Sequence, residues 1–168
     1  MDTAQMAAVY DRMKDTVYRV ALSYCRNVQD AEDITHDVFL ARFRHEEPFP
    51  DDESEKAWML RVTVNRCKNL LKSFRRKFSV PLEDAAQVCV TQPEHEIWDA
   101  VNALPARYRL VIHLYYYEGY SVAEIAKMNG KSETAIQTQL YRARKLLKHA
   151  LGEEFTDETN SAILQRNG

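Results

Sequence analysis

The sequence predicts an all-α chain: two small helical domains joined by a flexible linker. Helix breakers are scarce, with four glycines and five prolines in 168 residues. Apolar residues recur at three- and four-residue spacing, and no run alternates as a half-buried strand would. Between Ser79 and Pro93 that pattern weakens around Pro81 and Pro93, which marks a linker. The length suits one ordinary domain or two small ones. An apolar share of 45% against 29% charged excludes a disordered chain.

The first helix is expected from about Asp2 to Asn27, burying Met6, Val9, Tyr10, Met13, Val17, Val20, Ala21 and Tyr24 as one stripe. A second runs from about Asp30 to Arg44. Asp30, Glu32 and Asp33 stand in its first turn, where the helix dipole favours acid. Ile34, Val38 and Ala41 form its core face, with Phe39 and Phe43 as further candidates. Pro48 and Pro50 make residues 46–52 a loop. Ser54 is the expected cap of a third helix reaching about Arg76, whose seam is Leu60, Val64, Cys67, Leu71 and Phe74. The first domain closes near Lys77.

After the linker, a fourth helix begins near Glu94 with Ile97, Trp98 and Val101. Pro105 suits the first turn of a fifth, which Gly119 stops. Ser121-Val-Ala-Glu124 is a capping box opening a short helix to Met128. Asn129-Gly130 then turns the chain, and Ser132 caps a last helix to about His149. The polar, acidic tail from Gly152 is expected to fray. The division is therefore 1–77, a linker 78–93, 94–152 and a tail 153–168.

Chemistry concentrates in three places. A short helix, a glycine turn and a long basic helix make a helix-turn-helix from Ser121 to His149, which presents one helix to the DNA major groove. At roughly 100° per residue, Ile136, Leu140, Ala143 and Leu147 share its inner side. The opposite side then shows Thr134, Gln137, Thr138, Tyr141 and Lys145, flanked by Arg142 and Lys148. Gln137 is the best base-edge candidate, whereas Lys131, Arg142, Lys145 and Lys148 suit phosphates. The bland alternative is a solvated basic helix.

The formal net charge of −2 hides segregation along the chain. From Trp58 to Lys77 there are seven basic residues and no acidic one, whereas Glu46, Glu47, Asp51, Asp52, Glu53 and Glu55 precede them. Within the third helix Trp58, Arg61, Asn65, Lys68, Lys72 and Arg75 share one stripe. An aromatic and an amide among cations suit unstacked bases, because an aromatic face stacks on any base while cations follow the backbone. Taken alone, Trp58 fits the core equally well. The carboxylates from Asp30 to Asp37 are explained by a helix start or, more sharply, by a protein-binding surface.

No catalytic constellation, phosphate loop or nucleophile motif is present. His36, His45, His95, His113 and His149 lack metal-ligand spacing. Cys25, Cys67 and Cys89 are widely spaced and without a CxxC pair, as befits thiols in a reducing cytosol. Asp2, Asp11 and Asp15 exclude a signal peptide, and the apolar run Leu110–Tyr117 is too short to span a bilayer. A non-enzymatic cytoplasmic protein is expected, with no cofactor, metal, membrane insertion or small-molecule substrate.

Together these pieces resemble the bacterial extracytoplasmic-function sigma factors, the minimal two-domain RNA polymerase initiation factors. Asp30-Ala-Glu-Asp-Ile-Thr-His-Asp-Val-Phe-Leu40 is similar to that family's clamp-docking helix, and Trp58-Met-Leu-Arg-Val-Thr-Val-Asn65 with its basic run to the helix gripping the −10 element. Leu104-Pro105, Tyr117 to Ala126, and Leu140-Tyr-Arg-Ala-Arg144 resemble its −35-reading domain. The resemblance covers about Met6 to Leu151 in the family's order. It implies a region 2 that binds the clamp of core polymerase through Asp30, Glu32, Asp33 and Asp37 and captures melted −10 DNA. It implies a region 4 that reads the −35 element and touches the β-flap, a linker threading toward the RNA exit path, and a cognate anti-sigma factor. This chain departs in having Gln137 and Gln139 where the family commonly has basic residues, and in its acidic, proline-bearing loop before Trp58. The rival reading is a stand-alone helix-turn-helix regulator with an N-terminal dimerisation or sensor domain. A sensor needs neither the acidic helix nor the Trp-plus-basic one. A nucleic-acid-processing enzyme would need a catalytic set the chain lacks.

Overall fold

A computed structural model describes residues 1–78 and 96–152, without the side chains of 74–78 and 96. The linker, the tail, Cys89 and the side chains of Phe74 and Arg75 lie outside that description. Helix α1 spans Thr3–Cys25, α2 Val28–Arg44 and α3 Asp52–Phe78. They pack on one another around Val9, Met13, Val17, Val20, Ile34, Val38, Met59, Leu60, Val64 and Cys67, all buried. Asp2 caps α1 in a reciprocal box with Gln5, and Arg26 ends it in the left-handed region at φ 53°. Asn27 caps α2, and Asp30 stands in the first turn, where it was expected. One capping expectation is corrected. Asp51, not Ser54, caps α3: its carboxylate accepts the Ser54 amide at 2.7 Å and so sits below its ordinary pKa. A carboxylate satisfies an orphan amide of a positive helix end better than a hydroxyl does. Tyr10, expected in the core, is 46% exposed against Phe39, because it lies at the outer edge of the α1 stripe.

The second unit comprises α4 (Glu96–Ala103), α5 (Ala106–Ile112), α6 (Val122–Asn129) and α7 (Glu133–Leu151). Pro105 caps α5 from outside rather than occupying its first turn. The α5 helix widens into a π-helical turn, His113–Tyr117, and Gly119 at φ 73° releases the chain toward α6. Leu110, Val111, Ile112, Leu114, Ile125, Ile136, Leu140, Ala143 and Leu147 fill the core. The two units also touch: α5 packs on α1, and α6 on α3. Nothing in the sequence foretold that seam.

Candidate nucleic-acid interface

Helix α6 and the turn after it aim α7. In the capping box, Ser121 Oγ accepts the Glu124 amide at 3.2 Å and Glu124 Oε2 accepts the Ser121 amide at 2.8 Å. Those backbone bonds hold the Glu124 carboxyl below its ordinary range. Gly130 turns the chain at φ 63°, a conformation only glycine adopts without strain, and Ser132 caps α7 through the Ala135 amide. On α7 the apolar side is fully buried, and Lys131, Thr134, Gln137, Thr138, Tyr141, Arg142, Lys145 and Lys148 are all exposed. Tyr141, at 63% exposure, is far too open for a core aromatic. Gln139 departs from Gln137, since its side-chain oxygen is buried and without a hydrogen-bond partner among the described residues.

On α3, Arg61, Asn65 and Lys72 are exposed. Trp58 is half-buried at the rim of the core, between the two readings its sequence position allowed. It closes an aromatic cluster with the preceding loop. His45 meets its ring edge-on at 4.8 Å, and Phe49 lies 5.6 Å from Trp58 while stacking on His45 at 4.9 Å. The Arg42 guanidinium stands 4.8 Å over Phe49, and its Nε donates to Glu55. Sequence reasoning missed His45 and Phe49, although two aromatics in an otherwise acidic loop were the available signal. Lys68 differs from the rest of the stripe. It is half-buried, and its Nζ donates to the Asn129 carbonyl of α6 at 2.9 Å. Desolvation, with Lys131 and Lys72 nearby, lowers its pKa.

On α2, Glu32, Asp33 and Asp37 are exposed and Asp30 half-exposed. Asp33 accepts from Gln29, and Asp37 faces Arg66 at 3.9 Å, too long and open a pair to hold it firmly. An open groove of about 460 Å³ lies beside them, with Tyr10, Tyr18, His36, Phe39 and Phe43 on its walls. The described residues thus carry three solvent-facing surfaces: acidic on α2, aromatic and cationic on α3, polar and cationic on α7. Among them no group of His, Cys, Asp and Glu could hold a metal ion, and no helix is long and apolar enough to cross a membrane.

Known proteins carry the same combination. Residues 9–77 match the sigma-70 region 2 family and residues 94–147 the sigma-70 region 4 family. The chain belongs to the extracytoplasmic-function sigma factors. Its function is that of an alternative sigma factor, which joins core RNA polymerase and directs promoter-specific initiation. It is 28% identical over 145 residues to RNA polymerase sigma factor SigV of Bacillus subtilis, covering 84% of this chain and 87% of that one. With ECF RNA polymerase sigma factor SigL of Mycobacterium tuberculosis it shares 29% over 166 residues, 90% of this chain and 92% of the relative. In fold it is similar to the sigma factor RpoE co-crystallised with the anti-sigma factor NepR from Bartonella quintana. That match has a TM-score of 0.71 and 20% identity, covering 88% of this sigma factor and 96% of RpoE. The all-α, two-unit expectation therefore stands.

Proposed function

We propose that this sigma factor grips its promoter at two points, through α3 and α7, and holds core polymerase through α2. The observation that carries the reading is the exposure of the whole outer face of α7 in a chain that also displays an aromatic–cationic stripe on α3. Short side chains at the start of α7, with Gln137 central, meet −35 base edges, and Lys131, Arg142, Lys145 and Lys148 meet phosphates. Trp58 stacks on an unpaired −10 base, Asn65 offers hydrogen bonds, and Arg61, Lys68, Lys72 and Arg75 follow the backbone. The acidic face of Asp30, Glu32, Asp33 and Asp37 takes the polymerase clamp, and region 4 takes the flap. Residues 1–77 and 94–152 act as the two working domains, with 78–93 between them and 153–168 as a tail.

The protein works without catalytic chemistry of its own, in the cytoplasm, under a cognate anti-sigma factor. Likeness in fold to a sigma factor solved with one supports that partner. Run-off transcription with core polymerase tests the reading: a product from a specific start site is expected. Operator binding without polymerase and no such product would restore the stand-alone regulator. Permanganate footprinting separates the two DNA contacts, since Trp58→Ala or Asn65→Ala should impair strand opening while −35 binding persists.

A further inference from the structure

Cys25 and Cys67, far apart in sequence, meet in region 2. Cys25 ends α1, Cys67 lies midway along α3, and their thiols are hydrogen-bonded where those helices pack. The pair is asymmetric. Cys67 is fully buried in the core, whereas Cys25 is half-buried at its edge. The bond from Cys67 holds the Cys25 thiol below its ordinary pKa; burial and Asp30 oppose this, and the Arg109 guanidinium adds to it. Cys67 is pushed up, first by that bond and then by burial and the neighbouring Cys25 charge. Negative charge therefore settles on the sulfur that solvent reaches. Neither sulfur belongs to the surfaces assigned above to DNA and polymerase.

A cysteine packed singly in a core is inert. A reachable sulfur that favours the thiolate, in contact with a second thiol, has the make-up of a redox sensor beside its resolving partner. We propose that Cys25 and Cys67 form a peroxide-responsive pair, in which Cys25 is oxidised first and Cys67 resolves it to a disulfide that staples the α1–α2 corner onto α3. The Cys25 thiolate attacks one oxygen of a hydroperoxide. A sulfur–oxygen bond forms, the oxygen–oxygen bond breaks, and the departing oxygen takes up a proton to leave as water or an alcohol. Cys67 then gives up its proton and attacks the sulfenic sulfur; the sulfur–sulfur bond forms and water leaves. Two thiols lose two electrons and the peroxide gains them. A small dithiol reverses the step by exchange. Thiols already in contact need little backbone movement to bridge. The loop so closed contains all of α2, with the turn at Arg26 and the cap at Asn27 beside its root. Closing so long a loop restricts the unfolded chain, so the oxidised protein is the more stable form.

Hydrogen peroxide and intact mass test this on the full chain carrying Cys89→Ser, which removes the third thiol. The monomer should become lighter by two hydrogen atoms, peptide mapping should join Cys25 to Cys67, and dithiothreitol should restore the parent mass. Oxidation should also raise the melting temperature by several degrees. Cys67→Ala should stop one step earlier, one oxygen atom heavier, with Cys25 captured by dimedone. Cys25→Ala should leave Cys67 reduced. Sulfinic acid at Cys25 without the cross-link overturns the pair, and oxidation of Cys67 in Cys25→Ala overturns the order. A cross-link that leaves the melt unmoved overturns the staple. Should Cys67→Ala fail to fold by circular dichroism, iodoacetamide labelling of the folded, reduced chain reads the order instead. Labelling of Cys25 ahead of Cys67 sustains the assignment, and the reverse overturns it.

Discussion

Glu55 is the most informative position for stability, because one carboxylate ties all three helices of region 2. It is 5% exposed, and it accepts from Arg12 of α1 and from Arg42 of α2, itself 7% exposed. Glu55→Ala leaves a buried guanidinium without its counter-charge, a loss of about 3–5 kcal/mol in such settings. The lower end applies here, because a water-accessible cleft lined by Arg42, His45, Phe49 and Glu55 lets solvent reach the orphaned charge. Arg12 adds little, since its side chain is 39% exposed and keeps Asp52 at 2.9 Å. About 3 kcal/mol, at a urea slope of roughly 1–1.5 kcal/mol per molar for a bundle this small, moves the midpoint down by about 2–3 M. Tryptophan fluorescence reads it directly: in a Trp98→Phe background Trp58 is the sole tryptophan, and it sits beside the Arg42-Phe49 pair. Replacing both partners, Arg42→Met with Glu55→Met, should recover most of the loss. A Glu55→Ala midpoint within 0.5 M or so of the parent would refute the view that this ion triad holds the bundle together.

Other outcomes follow from the same geometry. Gln137→Ala should relax −35 base preference more than it lowers affinity for random duplex; equal losses in competition binding would make Gln137 a positioning residue only. Asp33→Arg or Asp37→Arg should weaken capture of core polymerase in pull-down, and unchanged capture removes that face from the docking surface. Gly130→Ala, with open space around the new methyl but φ at 63°, should cost about 1 kcal/mol from the left-handed backbone alone, a few degrees in melting temperature. An unshifted melt would mean that the turn carries no strain. For Glu118, burial pushes the carboxyl up, but the bonds and charges of His113 and Arg19 outweigh it and hold the folded pKa below the ordinary value. The unfolded chain therefore takes up the proton first, and the stabilisation, complete above the ordinary carboxylate pKa, fades as pH falls through the folded value. Acid titration of Glu118→Gln should show a shallower stability loss than the parent over that window.

Legibility in the sequence followed the range of the interaction. Helices set by local rules were readable: the capping box at Ser121, the glycine turn at Gly130 and the Ile136–Leu147 seam need only residues within a turn or two of each other. Errors of local origin were small, such as Ser54 for Asp51, where two good capping residues stood three apart. What stayed hidden depends on residues far apart in sequence. Arg109 looks like a stray charge in an apolar run until Ser23 and Tyr24 present their carbonyls to it. Glu55 reads as one more acid in a solvated first turn until Arg12 and Arg42 arrive from other helices. Periodicity marks which side of a helix is buried, but not which foreign helix covers it.

That limit bears on how function should be read from the stripes themselves. A wheel places Lys68 among the α3 cations as their equal, yet the fold sets it apart: half-buried, hydrogen-bonded and lowered in pKa. Arg61 and Lys72 are free to meet phosphate by simple approach, whereas Lys68 must first leave the Asn129 carbonyl. Phosphate contacts contribute salt-dependent affinity roughly one counterion at a time. If Lys68 joins DNA only after that bond breaks, Lys68→Ala in the intact chain removes a phosphate contact that already carries the cost of leaving the Asn129 carbonyl. Its net effect on affinity for single-stranded oligo-dT should then be smaller than that of Lys72→Ala, although the two lysines stand one helical turn apart on the same stripe. A larger loss for Lys68→Ala would mean that the bond to Asn129 does not hold the amine back from phosphate.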